Sequence, residues 1–454
     1  TIGELQAQIP QVPWLDILTK IFDAANVTVS NDSNLVLEDS MYYSRFHKVI
    51  NSTKSSVISN YFGWRTLQEI APLLNTDYES YTLDFQKAAK QSSVKGDRWK
   101  KCIDMLVGRN GIAKHLMGRL HVDKYLSANA KRKVVRVSKK ILKSYKEQIG
   151  RNDWLSSATK KKVEEKVQNM IPKIAYEDKM KNDVYVEELY KWTGDIEQGT
   201  KLTDVMKGFR HNNVITNLML LNKPYERTKD FDYVHPAIVN GYYIYTDNAF
   251  YYLSGALQFP FYADDVPLEV LMGLLGWNMA SQMQSGLDYM GGTFEADGFM
   301  RPASFWSTKS IEAHNKKIAC FSKQYENITD DHQGKPVKAR TTVRNDELDN
   351  AGLQAAYRAM QETEQPASSK TSSQLSSFAG YTGDKLFFLS AGIGMCLYMR
   401  DLKLRFPDRT KQYSSAQERI NFPLGNIKEF SHAFDCKDND YMNFHAQKKS
   451  CSYW

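Results

Sequence analysis

The chain has 454 residues, of which 42% are hydrophobic and 25% are charged. This composition is typical of a folded globular protein of two or three domains, and it excludes a disordered or fibrous chain. The formal charge of +8 arises from 60 basic and 52 acidic residues, a mixed surface that argues against a dedicated nucleic-acid-binding protein.

Local patterns narrow the function further. There is no apolar run of about 18 residues, so no segment of this chain is expected to span a membrane. The densest basic run, residues 131–146, has apolar residues at helical spacing, which favours a solvated helix face over a phosphate or membrane site. Four sequons favour a secretory route and are candidate N-glycosylation sites: Asn26, Asn31, Asn51 and Asn327.

Residues 1–232 are predicted to form a mainly helical amino-terminal lobe. Thr1 and Glu4 have the spacing of a capping box, which predicts a helix start. A short strand is predicted over residues 35–37, and residues 173–232 are predicted to be loosely structured. Helices are predicted over 55–71, 97–106, 132–149 and 153–171, the last ended by Pro172.

Residues 233–454 are predicted to form a second lobe. Residues 239–253 read as two strands joined at Thr246-Asp247-Asn248, a hairpin pattern. A buried helix running into a glycine-rich turn is predicted over 273–298, and it places Ser281 and Ser285 on one face at positions i and i+4. Further helices are predicted over 305–325, 346–360 and 383–399.

Short segments spread along nearly the whole chain carry a family resemblance. They include Thr1-Ile-Gly-Glu-Leu, Asn60-Tyr-Phe-Gly-Trp-Arg, Trp154-Leu, Val239-Asn-Gly-Tyr-Tyr, Gly286-Leu-Asp, Phe294-Glu-Ala-Asp-Gly, Asp349-Asn-Ala-Gly-Leu, Lys385-Leu-Phe-Phe-Leu-Ser and Cys451-Ser-Tyr-Trp. In this order they resemble the neprilysin and endothelin-converting-enzyme family of zinc metallopeptidases. The resemblance implies an α+β fold, mainly α with small β-sheets. It also implies two lobes, of which the carboxyl-terminal one is thermolysin-like, around a central cavity.

Carried over residue by residue, the resemblance implies a degenerate zinc site. The two metal-binding His positions fall on Ser281 and Ser285, and the third ligand, a Glu, falls on Asn345. The general-base Glu falls on Gln282, and a transition-state-stabilising His falls on Tyr413 by a weaker alignment. Hydroxyls and amides are poor zinc ligands beside imidazole and carboxylate, and Gln cannot take a proton at neutral pH. We therefore expect a pseudoenzyme without zinc or any other cofactor.

Other family positions keep their residue types. Asp288 and Asp349 match the carboxylates that orient metal-bound His, and Arg419 matches a substrate-clamping Arg. Asn240 and Gly241 match the family's substrate-binding strand. These residues either persist as hydrogen-bond partners in the core or keep a capacity to bind peptides, and the sequence leaves both alternatives open.

The resemblance also assigns the five cysteines. It implies a disulfide between Cys320 and Cys451. The family partners of Cys102, Cys396 and Cys436 lie upstream, in a segment with no counterpart in this chain. We therefore expect an amino-terminal part that is missing, removed by processing, or present as a separate disulfide-linked chain.

The favoured function is a catalytically inactive neprilysin-like protein, extracellular as a secreted protein or an ectodomain. It would act by binding peptides or by regulating active relatives. The alternatives are an active zinc endopeptidase that cleaves small peptides and a purely structural or storage protein. No nucleic acid and no direct membrane contact is expected.

Overall fold

A computed structural model describes residues 1–37, 39–71, 76–88, 97–108, 110–227, 235–326, 329–330, 335–336, 339–362, 380–396 and 413–454. The described chain is mainly helical with small sheets, which confirms the predicted α+β class. It contains two compact units, Thr1–Met117 with Lys179–Glu226, and Gly118–Asp178 with Arg227–Trp454. The boundary expected after residue 232 stays a prediction, and in this division residues 118–178 pack within the second unit.

The α-helices and β-strands have the following bounds. The helices are α1 (Ile2–Gln8), α2 (Trp14–Asp23), α3 (Ser40–Ser52), α4 (Ser55–Ile70), α5 (Thr76–Ala88), α6 (Arg98–Val107), α7 (Lys114–Tyr125), α8 (Ala128–Arg151), α9 (Ser157–Asn169), α10 (Asp183–Leu189), α11 (Leu202–Met219), α12 (Leu268–Leu271), α13 (Trp277–Gln284), α14 (Thr308–Tyr325), α15 (Ala339–Gln361), α16 (Gly383–Gly394), α17 (Ala416–Gly425) and α18 (Lys428–Ala433). The strands are β1 (Ile171–Ala175), β2 (Gly241–Ile244), β3 (Ala249–Leu253), β4 (Thr329–Asp330) and β5 (Lys335–Pro336).

Two helices of the first unit begin at residues whose side chains cap the helix. The predicted capping box forms at Thr1, whose Oγ1 accepts a hydrogen bond from the backbone N–H of Glu4 at 3.2 Å. The strand predicted over residues 35–37 is wrong, because this stretch is irregular and pairs with no neighbouring strand. Asp39 instead caps α3 by accepting from the N–H of Met41 at 2.8 Å.

The second unit contains a three-stranded sheet of order β1-β3-β2. The predicted hairpin forms, with β2 antiparallel to β3 and Gly241 opposite Tyr252. Asn248 ends the hairpin turn in the left-handed conformation with φ 44°, which an Asn tolerates. The helix predicted over 153–171 ends at Asn169, and β1 then pairs parallel with β3. Pro172 lies within β1, an edge strand, where a missing N–H is tolerated.

A buried helix pair forms the centre of this unit. Helix α12 continues through a π-helical turn, Met272–Gly276, into α13. Helix α15 packs against α13 so closely that a Cβ on Gly352 would lie 2.4 Å from Ser281 Oγ and 2.6 Å from its backbone N. A glycine is needed at this crossing, because any side chain would collide with a backbone that cannot move independently.

A second core surrounds the end of the chain. Buried Phe321, Tyr325, Phe422 and Tyr453 pack here beside Cys451. In the part of the chain that the structure describes, no helix combines the length and apolar character needed to cross a bilayer.

Candidate functional site

The two serines that the resemblance aligns with zinc-binding His lie at the buried end of α13. Ser281 and Ser285 are 6% and 7% exposed. The hydroxyl of Ser281 donates to the carbonyl oxygen of Trp277 at 3.1 Å, the usual local bond of a helical serine. Ser285 forms a side-chain hydrogen bond with Tyr245, at the end of the β2–β3 hairpin. Both hydroxyls therefore serve the packing of α13.

Gln282 and Asn345, which the resemblance aligns with the general base and the third zinc ligand, lie on the same helix pair. Gln282 is half-buried, and its Cγ lies 3.3 Å from where a Cβ of Gly241 would stand, so β2 runs directly past it. Asn345 is half-buried on α15, next in sequence to Arg344, which bonds to Asp288. Gln282 therefore lies between α13 and β2, and Asn345 lies on the helix that packs against α13.

Asp288, 2% exposed, is held by an arginine. Nε of Arg344 donates to its Oδ2 at 2.9 Å, a second guanidinium nitrogen of Arg344 lies 2.7 Å from the same oxygen, and the N–H of Gly291 donates to Oδ1 at 2.6 Å. Arg344 also donates to the hydroxyl of Tyr245 at 2.6 Å. Burial raises the pKa of Asp288, and the adjacent Arg344 opposes that rise.

Asp349 has an equivalent partner. Arg419 on α17 donates from two nitrogens to its two carboxylate oxygens, at 2.6 and 3.1 Å, in a bidentate pair. The backbone oxygen of Asp349 accepts from the indole N–H of Trp277 at 2.8 Å. The guanidinium of Arg419 stacks 4.8 Å above the ring of Tyr413, which is itself half exposed. Asp349 and Arg419 therefore satisfy each other.

Glu347 on α15 is a buried carboxylate. Its Oε1 accepts from the side-chain amide of Gln284 at 3.2 Å, and Gln284 in turn accepts from the indole N–H of Trp454 at 2.8 Å. Burial raises the pKa of Glu347 well above its usual range, and the nearby Asp288 charge raises it further. Through Gln284, Glu347 connects α15 to α13 and to Trp454. It lies two residues after Asn345 and therefore on a different part of α15.

A cavity of about 120 Å³ opens beside the edge strand β2. Asn240 and Gly241 line it together with residues of α13, the preceding π turn and the end of α16. The remaining lining side chains are Val239, Tyr252, Ala256, Phe261, Leu274, Trp277, Asn278, Ala391, Gly394 and Met395. Asn240 is exposed, and its Oδ1 accepts from the N–H of Gly241 at 2.8 Å. The outer edge of β2 and this cavity are adjacent.

The residues that the resemblance aligns with the zinc ligands do not fit zinc. A structural or catalytic zinc site needs thiolate, imidazole or carboxylate donors, whereas Ser281, Ser285 and Asn345 offer two hydroxyls and an amide. The carboxylates of Asp288 and Asp349 are already paired with guanidinium groups. Among the residues that the structure describes, no group of three or more His, Cys, Asp or Glu is placed to hold a metal ion.

The structure describes all five cysteines and three of the four sequon asparagines. Cys320 and Cys451 form the disulfide that the resemblance implied. Cys102 and Cys396 are exposed thiols and Cys436 is a half-buried one whose pKa is raised by burial. Three sequon asparagines, Asn26, Asn31 and Asn51, are exposed, and Asn327 lies outside the described residues.

Comparisons with known proteins cover almost the whole chain. Residues 1–177 and 240–451 match the amino-terminal and the main family models described as Peptidase family M13. Endothelin-converting enzyme 1 of Bos taurus is 27% identical, over 100% of this chain and 58% of that protein. Neprilysin-1 of Trittame loki is 25% identical, over 98% of this chain and 61% of that protein.

Solved structures agree on the fold. Zinc metalloprotease ZMP1 of Mycobacterium tuberculosis, solved with an inhibitor, superposes with a TM-score of 0.75 at 20% identity, over 100% of this chain and 65% of that one. The PEPO structure from Lactobacillus rhamnosis gives a TM-score of 0.68 at 21% identity, over 86% and 56%. The chain spans about 58% of the length of the endothelin-converting enzymes that it matches. Matching family models at both ends and a shared neprilysin-like fold establish that the chain belongs to peptidase family M13.

Proposed function

We propose that this chain is a member of family M13 without peptidase activity, and that it binds extended peptides beside β2. The observation that carries the proposal is the donor set, with Ser281, Ser285 and Asn345 at the metal-ligand positions and Gln282 at the base position. A positioned general base alone contributes about 10²–10⁴ in rate. Loss of the base together with all three ligands removes both parts of the catalytic apparatus.

The pairing of the carboxylates supports the same proposal. In a zinc site, Asp288 and Asp349 would accept from metal-bound imidazoles, which this chain lacks. Here guanidinium groups take the corresponding role, so neither carboxylate needs a metal-site partner. This arrangement favours a stable helix pair without a dication.

Peptide binding is supported by the edge strand and its cavity. β2 is an edge strand of the sheet that the structure describes, and an edge strand is where β-augmentation adds an extended peptide through main-chain hydrogen bonds. The cavity of about 120 Å³ lies beside that edge and is large enough to take part of one side chain. The exposed Asn240 amide can bond to a peptide main chain. An extracellular location is supported by the disulfide and by the exposed sequons.

Metal analysis tests the loss of catalysis. The purified full chain should contain zinc far below one equivalent, and it should leave a mixture of fluorogenic peptides uncleaved with or without a chelator. A stoichiometric zinc that a chelator removes together with a peptidase activity would instead establish an active zinc endopeptidase.

A pair of glycine variants on α16 tests peptide binding. Gly394 lines the cavity, whereas Gly392 does not and has only one atom, of Ile420, within 4 Å of an added Cβ. We expect Gly394→Leu to abolish retention of a random hexapeptide mixture, read by mass spectrometry, and Gly392→Leu to preserve it. Absence of retained peptides in the wild type, or equal retention by both variants, would favour the structural or storage alternative.

A further inference from the structure

A stripe of basic side chains runs along the exposed face of α8. The members are exposed and recur at alternating steps of four and three residues: Arg132, Arg136, Lys139, Lys143 and Lys146. This spacing places them on one side of the helix, over a length of about 21 Å at 1.5 Å per residue. From Ala128 to Lys146 the helix contains no acidic residue.

Most of these cations have no counter-ion in the part of the chain that the structure describes. Among the described residues, Arg132, Arg136, Lys139 and Lys146 form no salt bridge or side-chain hydrogen bond. Within the stripe, Lys143 forms a salt bridge, with its Nζ 3.8 Å from the carboxylate of Glu147. Two other basic residues of α8 bind within the protein: Lys131 pairs with Asp178, and Lys133 donates to the backbone oxygen of Asp264. Acidic Glu147 and Glu362 lie only at the carboxyl-terminal end of the stripe.

The opposite face of α8 limits what can bind. Val134, Val137, Ile141, Tyr145 and Ile149 are all at most 2% exposed and belong to the core. An interfacial membrane helix needs its apolar face free for the lipid, so α8 offers a bilayer only its charges. The Cys320–Cys451 disulfide indicates an oxidising compartment outside the cytosol, where nucleic acid is not the prevailing polyanion.

We propose that the α8 stripe binds a linear sulfated polysaccharide of the glycosaminoglycan type. Sulfate groups repeat along such a chain, and a straight row of unpaired cations matches them without strong demands on local geometry. Binding of this kind releases condensed counterions and weakens steeply with salt. The stripe shares no residue with the cavity beside β2, so a test of the stripe does not depend on the peptide-binding proposal.

The test compares two triple variants of equal net charge. Arg136→Gln with Lys139→Gln and Lys146→Gln removes three unpaired cations of the stripe. Lys20→Gln with Lys48→Gln and Lys428→Gln removes three exposed lysines elsewhere and is the control. The probe is a heparin decasaccharide, titrated by calorimetry at several NaCl concentrations, and thermal unfolding verifies that both variants fold.

We expect the stripe variant to bind heparin about tenfold more weakly at low salt, with a shallower dependence of log Kd on log salt. The control variant should stay within twofold of the wild type. Equal weakening in both variants, unchanged binding in the stripe variant, or equally tight binding of desulfated heparin would overturn the proposal. Tighter binding of a DNA duplex or of phosphatidylserine vesicles than of heparin would overturn it too, by assigning the stripe to another polyanion.

Discussion

Asp288 and Asp349 are buried carboxylates that each depend on one arginine. Arg344 and Arg419 reach them from elements 56 and 70 residues away in sequence. A buried ion pair adds little net stability, but removal of one partner leaves an uncompensated charge in a medium that solvates it poorly. The two arginines are therefore structural requirements of the helix pair, whatever the chain binds.

The Asp349–Arg419 pair can be tested by a double-mutant cycle. Arg419→Met should lower the free energy of unfolding by about 3–5 kcal/mol, because Asp349 is then buried without a partner. Adding Asp349→Asn should recover most of that loss, since no charge remains. Urea denaturation measures both, and additive losses in the double variant would contradict the pairing.

His314 predicts a pH dependence of stability. Burial between Tyr289, Trp306 and Tyr453 lowers the pKa of His314 to about 4. The unfolded chain binds this proton near pH 6.5, so the stabilising contribution is fully present above pH 6.5 and is lost as the pH falls toward 4. The difference should approach about 3 kcal/mol.

The corresponding variant is His314→Asn, which keeps a polar atom near Nδ1. We expect the wild type to lose more stability than the variant between pH 6.5 and 4, as read from urea midpoints at each pH. Parallel curves for the two proteins would show that His314 is protonated in the native state.

At the scale of elements, the crossing of α13 and α15 is set by Gly352. Gly352→Ala should destabilise the protein by about 1–3 kcal/mol, because its Cβ would collide with Ser281, including its backbone. Gly63 on α4 is the matched control, because no atom lies within 4 Å of an added Cβ. Gly63→Ala should stabilise the protein by about 0.5–1 kcal/mol through helix propensity alone. Thermal unfolding measures both variants, and a change of the same sign in the two would contradict the prediction.

The elements differ in how well the sequence predicts them. The β2–β3 hairpin and α8 are encoded locally, by alternation with a turn and by helical periodicity, and both form. Strand β1 was missed because Pro172 looked like a helix end, and only pairing with β3 makes it a strand. Helix α11 was missed because its polar residues conceal a buried face of Met206, Asn212 and Ile215.

The candidate site likewise contains some features that the sequence predicts and others that depend on tertiary packing. The positions of Ser281, Ser285 and Asn345 follow from a sequence frame, and their expected loss of zinc binding stays a prediction. The partners of Asp288 and Asp349 could not be predicted, because a salt bridge across 56 or 70 residues leaves no local pattern. The burial of Glu347 could not be predicted for a related reason, since it results from the packing of α15 on α13 and on Trp454.

At the scale of the whole molecule, the Cys320–Cys451 disulfide closes a loop of 131 residues. Cross-linking so long a loop removes much conformational entropy from the unfolded chain. Cys320→Ser with Cys451→Ser should lower the free energy of unfolding by about 2–5 kcal/mol. Cys102→Ser, at an exposed thiol, is the control and should change it by less than about 0.5 kcal/mol. Equal urea midpoints for the double variant and the wild type would contradict the disulfide.

The Asp288–Arg344 pair has a consequence for anyone who wishes to engineer a metalloprotein on this scaffold. Histidines introduced at positions 281 and 285 would bring a dication close to a guanidinium that already neutralises Asp288. Its positive charge would oppose the metal, and its hydrogen bonds would occupy the carboxylate that an introduced imidazole needs. Arg344 therefore has to be replaced by a neutral residue together with the two serines, because its removal alone would leave Asp288 buried without a partner.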